Sequence, residues 1–322
     1  MSCKILSWNI NGIKKKFQSE EAQTLFAGYD LVIISETHLN ILSKCPKDFM
    51  LLARSKPIES ATPRGGVAVY KKIDSEFDVT VITQHDFKDC IVLRITPIEV
   101  ICIALYIPPS NTKYFSVEYL ETLQLLLSNF KHTPTCLIGD LNSRLGQPPI
   151  FNKDISYKSN SDKVVNANGR TLDRILKEER SFHVLNGLQY SDIDCDTDFT
   201  FFKGELCSQN DIALTNYVEM ISGFQILDKL VLSDHKPISV NITMKPKIQL
   251  ELVAGCAMDT LKHDHYDINK KVLQTVRLSH LDVPSCMSTM DVAASELKEV
   301  MEKETLSTLF VLNFARINYC AP

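Results

Sequence analysis

The sequence predicts a layered α/β domain with two packed sheets over residues 1–245, followed by an appended segment over 246–322. Two observations predict it. Short apolar runs of strand length recur along the first part, and amphipathic segments of helical period fall after them. These runs come in two successive sets, each with its own helices, which is the pattern of a layered fold with two sheets.

Lys4–Asn9 reads as a strand and Phe17–Ala27 as a helix. Asp30–Ser35 is apolar between polar bounds and reads as a buried strand. Phe49–Arg54, Gly66–Lys71, Val79–Thr83, Cys90–Thr96 and Val100–Ile107 follow as strands. The short turns between them suit an antiparallel meander. Ser116–Phe130 is an amphipathic helix: Leu120, Leu123, Leu127 and Phe130 share a side, Glu118 and Glu121 favour its N-terminus, and Pro134 lies beyond its end. Cys136–Gly139 is a buried strand, 156–169 a polar loop and Arg170–Arg180 a helix. Phe199–Lys203, Asp211–Thr215, Phe224–Lys229 and Ile238–Thr243 complete the second set of strands. After Lys247 the composition shifts: 248–288 has no clean period, and 291–315 returns to a helical pattern.

Of 322 residues, 44% are apolar and 23% charged, as in ordinary globular domains. No apolar run reaches membrane-spanning length. Met1–Lys4 leads straight into a strand without a secretory apolar stretch. The ten cysteines are scattered and form no C-x-x-C pair. A reducing compartment, nucleus or cytoplasm, is therefore expected, without zinc. The net charge of −4 counts against binding nucleic acid by overall basicity. Lys14–Lys15–Lys16 is a local basic candidate, but it reads more readily as a solvated helix start.

Short polar segments stand at the ends of predicted strands. In order they are Trp8–Asn9–Ile10–Asn11–Gly12, Ser35–Glu36–Thr37–His38, Tyr106–Ile107–Pro108–Pro109, Gly139–Asp140–Leu141–Asn142, Asn210–Asp211 and Ser233–Asp234–His235. Each alone fits a bland reading: Asn9 and Asn11 as turn formers, Glu36 and Asp140 as caps or loop carboxylates, Tyr106 as a core aromatic, His235 as a surface histidine. Together they make a reactive set, because strand ends on one rim of a sandwich converge on one cleft. Glu36, Asp234 and the side-chain carbonyl of Asn9 or Asn11 are the oxygen donors that Mg²⁺ prefers. Of Asp140 and Asn142, one can activate or hold a water while the other orients it. His235, with Asp211 holding its ring, and Tyr106 can donate to a phosphoryl oxygen.

In this order, W-N-I-N-G, S-E-T-H, Y-I-P-P, G-D-L-N, N-D-I-A-L and S-D-H-K-P resemble the endonuclease/exonuclease/phosphatase superfamily over residues 1 to about 243. Within it the chain is most similar to the apurinic-endonuclease-like nucleases of non-LTR retrotransposons. Asn11, the run Thr200–Phe201–Phe202, the segment Asn168–Gly169–Arg170–Thr171–Leu172 leading to Val184–Leu185–Asn186–Gly187, and Arg64–Gly65–Gly66–Val67–Ala68 carry that likeness. The resemblance implies a four-layered α/β sandwich of the DNase I-like kind. It implies Glu36 as the main metal ligand, helped by Asn9 or Asn11 and by Asp234, with Mg²⁺ or Mn²⁺ bound. Asp140 would activate the attacking water and Asn142 position it. Tyr106, Asn142 and His235 would bind the scissile phosphate, and Asp211 would orient His235. DNA is the implied partner, nicked to leave a 3′-hydroxyl, with no membrane. The tail would begin a linker to a reverse transcriptase domain of a parent element. Asn210 departs from the family pattern, where an aliphatic residue precedes the Asp.

Rival readings are abasic-site repair, lipid phosphodiester cleavage and an inactive binding remnant. The first is disfavoured by Asn11 and the aromatic run, the second by the want of membrane-binding features, the third because every expected catalytic position is filled. Asp192, Asp194, Asp196 and Asp198 alternate like a calcium loop, but Thr197 and Lys203 stand where Gly and Glu are needed. His263 and His265 lack further ligands at metal spacing.

Overall fold

The structure is a computed structural model that describes residues 1–13, 16–38, 45–55, 64–82, 88–228 and 230–243, and the short strand pair Ile248–Gln249 with Asn318–Tyr319. Lys14, Lys15, the expected helix over 291–315 and the pair His263 and His265 lie outside the described residues. The chain divides into two compact units, Met1–Met244 and Lys245–Pro322.

In the first unit the chain runs β1 (Ser2–Asn9), α1 (Glu20–Phe26), β2 (Leu31–Ser35), β3 (Phe49–Arg54), β4 (Val67–Lys72), β5 (Asp78–Val81), β6 (Cys90–Thr96), β7 (Val100–Leu105), α2 (Glu118–Phe130) and β8 (Thr135–Asp140). It continues through β9 (Ser156–Tyr157), α3 (Ala167–Glu179), β10 (His183–Val184), β11 (Leu188–Tyr190), β12 (Ile193–Asp194), β13 (Phe201–Lys203), β14 (Leu206–Ser208), β15 (Asp211–Thr215), β16 (Ile221–Ile226) and β17 (Ile238–Thr243).

Two six-stranded sheets result, ordered β16-β17-β1-β2-β4-β3 and β10-β15-β8-β7-β6-β5. Both are built the same way. Each has one parallel pair, β1 with β2 or β7 with β8, and antiparallel strands elsewhere. A parallel pair needs a crossover, and α1 and α2 supply it.

The period of two along each strand sorts residues into layers. Cys3 and Ile5 of β1, Cys102 and Ala104 of β7, Cys136 and Ile138 of β8 and Ala213 of β15 belong to the core between the sheets. Their neighbours face outward. Leu6 and Trp8 pack with Phe17, Ala22 and Phe26 beside α1. Leu137, Ile212 and Leu214 pack with Leu123, Leu127, Leu172 and Ile175 of α2 and α3. The domain is thus a four-layered α/β sandwich. Trp8 and Phe26 meet edge to face at 6.2 Å, and burying such side chains contributes about 1.5–3 kcal/mol each.

Some boundaries differ from expectation. The strands over 49–107 form no single meander, because the chain changes sheets between β4 and β5. The first helix opens with a 3-10 turn at Lys16–Gln18, and Ser19 then caps α1 through the Ala22 N–H. Helix α3 starts three residues earlier than Arg170, because the Asn166 side chain caps it through the Gly169 N–H. β16 ends at Ile226, and a bulge between Ile221 and Gly223 shifts its register. The polar loop 156–169 contains β9, which pairs with β11.

Candidate active site

The alternation that sorts the core also builds the site. Asn9 shares a face with Cys3 and Ile5, Asp140 with Cys136 and Ile138, Asp211 with Ala213, and Tyr106 with Cys102 and Ala104. All four are buried, at the ends of strands that enter the core between the sheets. Pairing then brings together segments that are remote in the chain. Asp211 and Asp140 are direct partners across β15 and β8. The N–H groups of Ile10, Gly12 and Ile13 donate to the carbonyls of Ser35, Glu36 and Thr37, which extends the β1–β2 pairing past both strand ends. Ile107 N–H donates to Asp140, and Leu141 N–H to Asn210.

Gly139 shows why the segment before Asp140 reads G-D. A Cβ there would lie 1.9 Å from the Leu105 carbonyl oxygen, so only glycine lets β7 and β8 approach.

His235 is held on several sides. Its Nδ1 lies 2.8 Å from Asp211 Oδ2, and its Nε2 lies 4.0 Å from Asp140 Oδ2. Its backbone N–H donates to Ser233 Oγ at 3.1 Å, and its carbonyl accepts Trp8 Nε1–H at 2.9 Å. Ser233 Oγ in turn donates to the Asn9 carbonyl at 2.6 Å. The Phe201 ring meets the imidazole edge-on at 4.9 Å. Burial opposes the imidazolium, but the Asp211 carboxylate, hydrogen-bonded to it, and then Asp140 outweigh burial and raise its pKa to about 9.

Asp140 is the converse case. It is 1% exposed, and burial together with the facing Asp211 carboxylate pushes its pKa up, against the pull of His235. Asn9 donates its amide to Asp140 Oδ2 at 2.8 Å. The Asn142 N–H donates to Asp140 Oδ1 at 2.9 Å, with Asn142 in the left-handed region at φ 45° that asparagine tolerates. The Asn142 side chain donates to the Ile107 carbonyl at 3.0 Å.

Glu36 leaves β2 in a left-handed conformation, φ 50°, which turns its carboxylate toward the cleft. Tyr106 OH donates to Glu36 Oε1 at 2.8 Å, and His38 Nε2 lies 3.3 Å from Oε2. Burial works against the charge, yet hydrogen bonds from His38, Tyr106 and Asn9 hold this carboxyl down to about 2. Asn9 thereby joins Glu36 and Asp140.

The structure therefore brings together Asn9, Glu36, Tyr106, Asp140, Asn142, Asp211 and His235. The other two residues expected beside the metal, Asn11 and Asp234, stand at the edge of this network. Asn11 is exposed, and only its backbone takes part, its N–H donating to Asn9 Oδ1 at 3.0 Å. Asp234 is half-buried, and its carbonyl accepts the Phe202 N–H at 2.8 Å. Asp234 and Glu36 both favour the charge of Lys16, whose pKa burial lowers.

Among the described residues, possible ligand atoms of Asp140, Asp211 and His235 lie within 4.8 Å of one another and could hold a metal ion. Asp211 and His235 are already hydrogen-bonded to each other, and Glu36 and Asn9 bring further oxygen donors to the same cleft. Carboxylate and amide oxygens are what hard divalent cations take, so the residues fit such an ion.

Residues that the sequence reading left without a role also shape the site. Thr200 Oγ1 accepts the N–H groups of Asn210 and Asp211, each at 3.0 Å, and so sets the start of β15. Asn166 Nδ2 donates to the Asn142 carbonyl at 2.8 Å. A signal existed for both: Thr200 heads the aromatic run, and Asn166 sits at a helix start.

A buried acid–imidazole site on the rim of a four-layered α/β sandwich is the class to which these observations lead. The chain belongs to the endonuclease/exonuclease/phosphatase family, whose model matches residues 6–235. Among solved structures, it is similar to the endonuclease domain of TRAS1, a telomere-specific non-LTR retrotransposon, at 19% identity and a TM-score of 0.56, over 76% of this chain and 99% of that one. It is also similar to the AP endonuclease LMAP from Leishmania major, at 10% identity and a TM-score of 0.54, over 76% and 88%. A third likeness is to an AP endonuclease from Archaeoglobus fulgidus, at 17% identity and a TM-score of 0.51, over 74% and 98%. At these identities the likeness establishes the fold. No curated protein sequence matches the chain.

Proposed function

We propose that this protein is a divalent-metal-dependent endonuclease that nicks DNA and leaves a 3′-hydroxyl. One observation carries the reading: Asp211, His235, Asp140, Asn9, Glu36 and Tyr106 form a continuous chain of contacts along the rim. The family supplies phosphodiester chemistry, and the likeness to a retrotransposon endonuclease domain favours DNA as the substrate.

In this reading His235, charged and held by Asp211, donates from Nε2 to a phosphoryl oxygen. Asp140 takes a proton from the attacking water, and Asn142 places that water. Tyr106 faces the phosphate while anchoring Glu36. Glu36, ionised at neutral pH, is the principal ligand of Mg²⁺ or Mn²⁺, with Asn9 and Asp234 beside it. The bound cation would neutralise phosphate charge and stabilise the leaving oxyanion. The unit 1–245 would be the catalytic domain and 246–322 the start of a linker to a reverse transcriptase. A reducing compartment suits the cysteines among the described residues, which are free and mostly buried.

Supercoiled plasmid incubated with the full chain, in Mg²⁺ and in EDTA, tests this. Open circles are expected in Mg²⁺ alone, and neither Asp140→Ala nor His235→Ala should form them. Equal cutting of the plasmid by the folded Asp140→Ala variant would overturn the reading. A marked preference for an abasic duplex would move the assignment to repair.

A further inference from the structure

The glycine pair Gly65–Gly66 precedes β4 and takes no part in the contacts described so far. Its role becomes visible through Asp89, which stands just before β6 and is 1% exposed. Asp89 Oδ1 accepts the Gly66 N–H at 2.8 Å and Ser55 Oγ at 3.2 Å, and its Oδ2 accepts Tyr119 OH at 3.0 Å. The donors come from the turn before β4, the end of β3 and the first turn of α2. No cation is among them.

Two further links run from the backbone of these residues. The carbonyls of Gly66 and Gly65 accept the N–H groups of Thr37 and His38, at 3.2 and 3.1 Å. The Asp89 carbonyl accepts the Tyr106 N–H at 3.0 Å. Since Tyr106 OH reaches Glu36 at 2.8 Å, the links close into a ring that crosses from one sheet to the other. Glu36 and His38, at φ 50° and 52°, hold conformations that persist only where the surroundings over-determine them. The glycines fit the same account. A Cβ on Gly65 would lie 2.9 Å from Asp89 Oδ2, and both glycines have positive φ, 69° and 90°. Burial raises the Asp89 pKa, and its three donors offset only part of that.

We propose that Asp89 is a positioning residue that clasps the loop bearing Glu36 to the strand bearing Tyr106 and thereby sets the contact between them. The inference rests on the reading of Glu36 and Tyr106 as parts of a cleavage site. Its test uses a readout that needs neither metal nor substrate.

Amide hydrogen exchange of the full chain would be compared for wild type, Asp89→Ala, Asp89→Asn and Tyr119→Phe. In Asp89→Ala the Thr37 and His38 amides should exchange about 10-fold faster or more, while Val32 and Ile34 of β2 keep their rates. In plasmid nicking, kcat should fall about 10-fold or more at unchanged KM. Asp89→Asn keeps an acceptor for Gly66 and should return both values to within about threefold of wild type. Tyr119→Phe should shift exchange in the same direction by less, and it serves if Asp89→Ala does not fold. Unchanged exchange at Thr37 and His38 in the folded variants would overturn the clasp. So would faster exchange with undiminished kcat in an active enzyme. If the wild type does not nick but exchange responds as stated, the clasp stands and the nuclease reading falls.

Discussion

Asp140 and His235 face each other at 4.0 Å, each displaced from its ordinary titration range by its surroundings. The carboxyl is pushed up by burial beside Asp211. The imidazole, although burial disfavours its charge, is raised by the same Asp211. A proton acceptor and a proton donor thus stand side by side, and Asp211 acts on both.

The first prediction concerns Asp211. Asp211→Asn removes the partner that orients and charges His235. The nicking rate should fall about 100-fold or more, the range for loss of general acid–base action. A rate within threefold of wild type would remove Asp211 from the mechanism.

A pH dependence follows from His235. Its folded pKa, about 9, lies above its ordinary value of 6.5. Its contribution to stability is therefore complete below 6.5 and lost as pH rises through about 9. Asp140, raised by burial, acts in the same direction. The melting temperature of the wild type should fall across this window, and its advantage over His235→Asn should narrow. A constant difference between the two proteins from pH 6 to about 9.5 would contradict the assignment.

Glu36→Gln keeps the shape of the side chain but removes the charge that three hydrogen bonds stabilise. Mn²⁺ affinity, read by calorimetry, should drop about 10- to 100-fold. Tyr106→Phe, which leaves the carboxylate in place, should cost less. If Glu36→Gln binds Mn²⁺ like the wild type, the ion is held by Asp140 and its neighbours instead.

Gly139→Ala tests the close approach of β7 and β8. Its Cβ would meet the Leu105 backbone at 1.9 Å, so the strands must part. Overpacking of this kind costs about 1–3 kcal/mol, visible as a lower denaturant midpoint at unchanged slope. Activity should fall as well, because Asp140 is the next residue. An unchanged midpoint would mean that the strand pair yields without strain.

Ser233→Ala would separate support from chemistry. It deletes the donor to the Asn9 carbonyl and the acceptor of the His235 N–H. Stability should fall by about 1 kcal/mol. The nicking rate should drop with KM for DNA unaltered, and a rise in KM alone would mean that Ser233 acts in binding.

Much of this was legible in the chain because one periodicity did two jobs. The alternation that buries Cys136 and Ile138 carries on to Asp140, and the alternation through Cys102 and Ala104 carries on to Tyr106. A polar residue that keeps the core's parity at a strand end is a readable signal. Pairing between distant strands is not local information, so the facing of Asp140 and Asp211 could not be read, nor the change of sheet between β4 and β5. Asn11 and Asp234 looked equivalent to Asn9 and Glu36 as oxygen donors. Burial separates Asn11, exposed beyond the turn, from Asn9, whereas Asp234 is half-buried like Glu36. Asp89 went unnoticed for a further reason. A lone Asp before an apolar run reads as a strand boundary, and its partners Gly66, Ser55 and Tyr119 lie on three other segments.

The hydrogen bond between Ser233 and Asn9 joins residues 224 positions apart. During synthesis the imidazole arrives after nearly every other group of the site has been made. Closing β17 against β1 is also a long-range event, of the kind that folds slowly. A nascent or truncated chain that ends before this closure has its carboxylates but neither His235 nor the contact that seats it. The site is therefore latent throughout synthesis and completes itself only when the two ends of the domain meet.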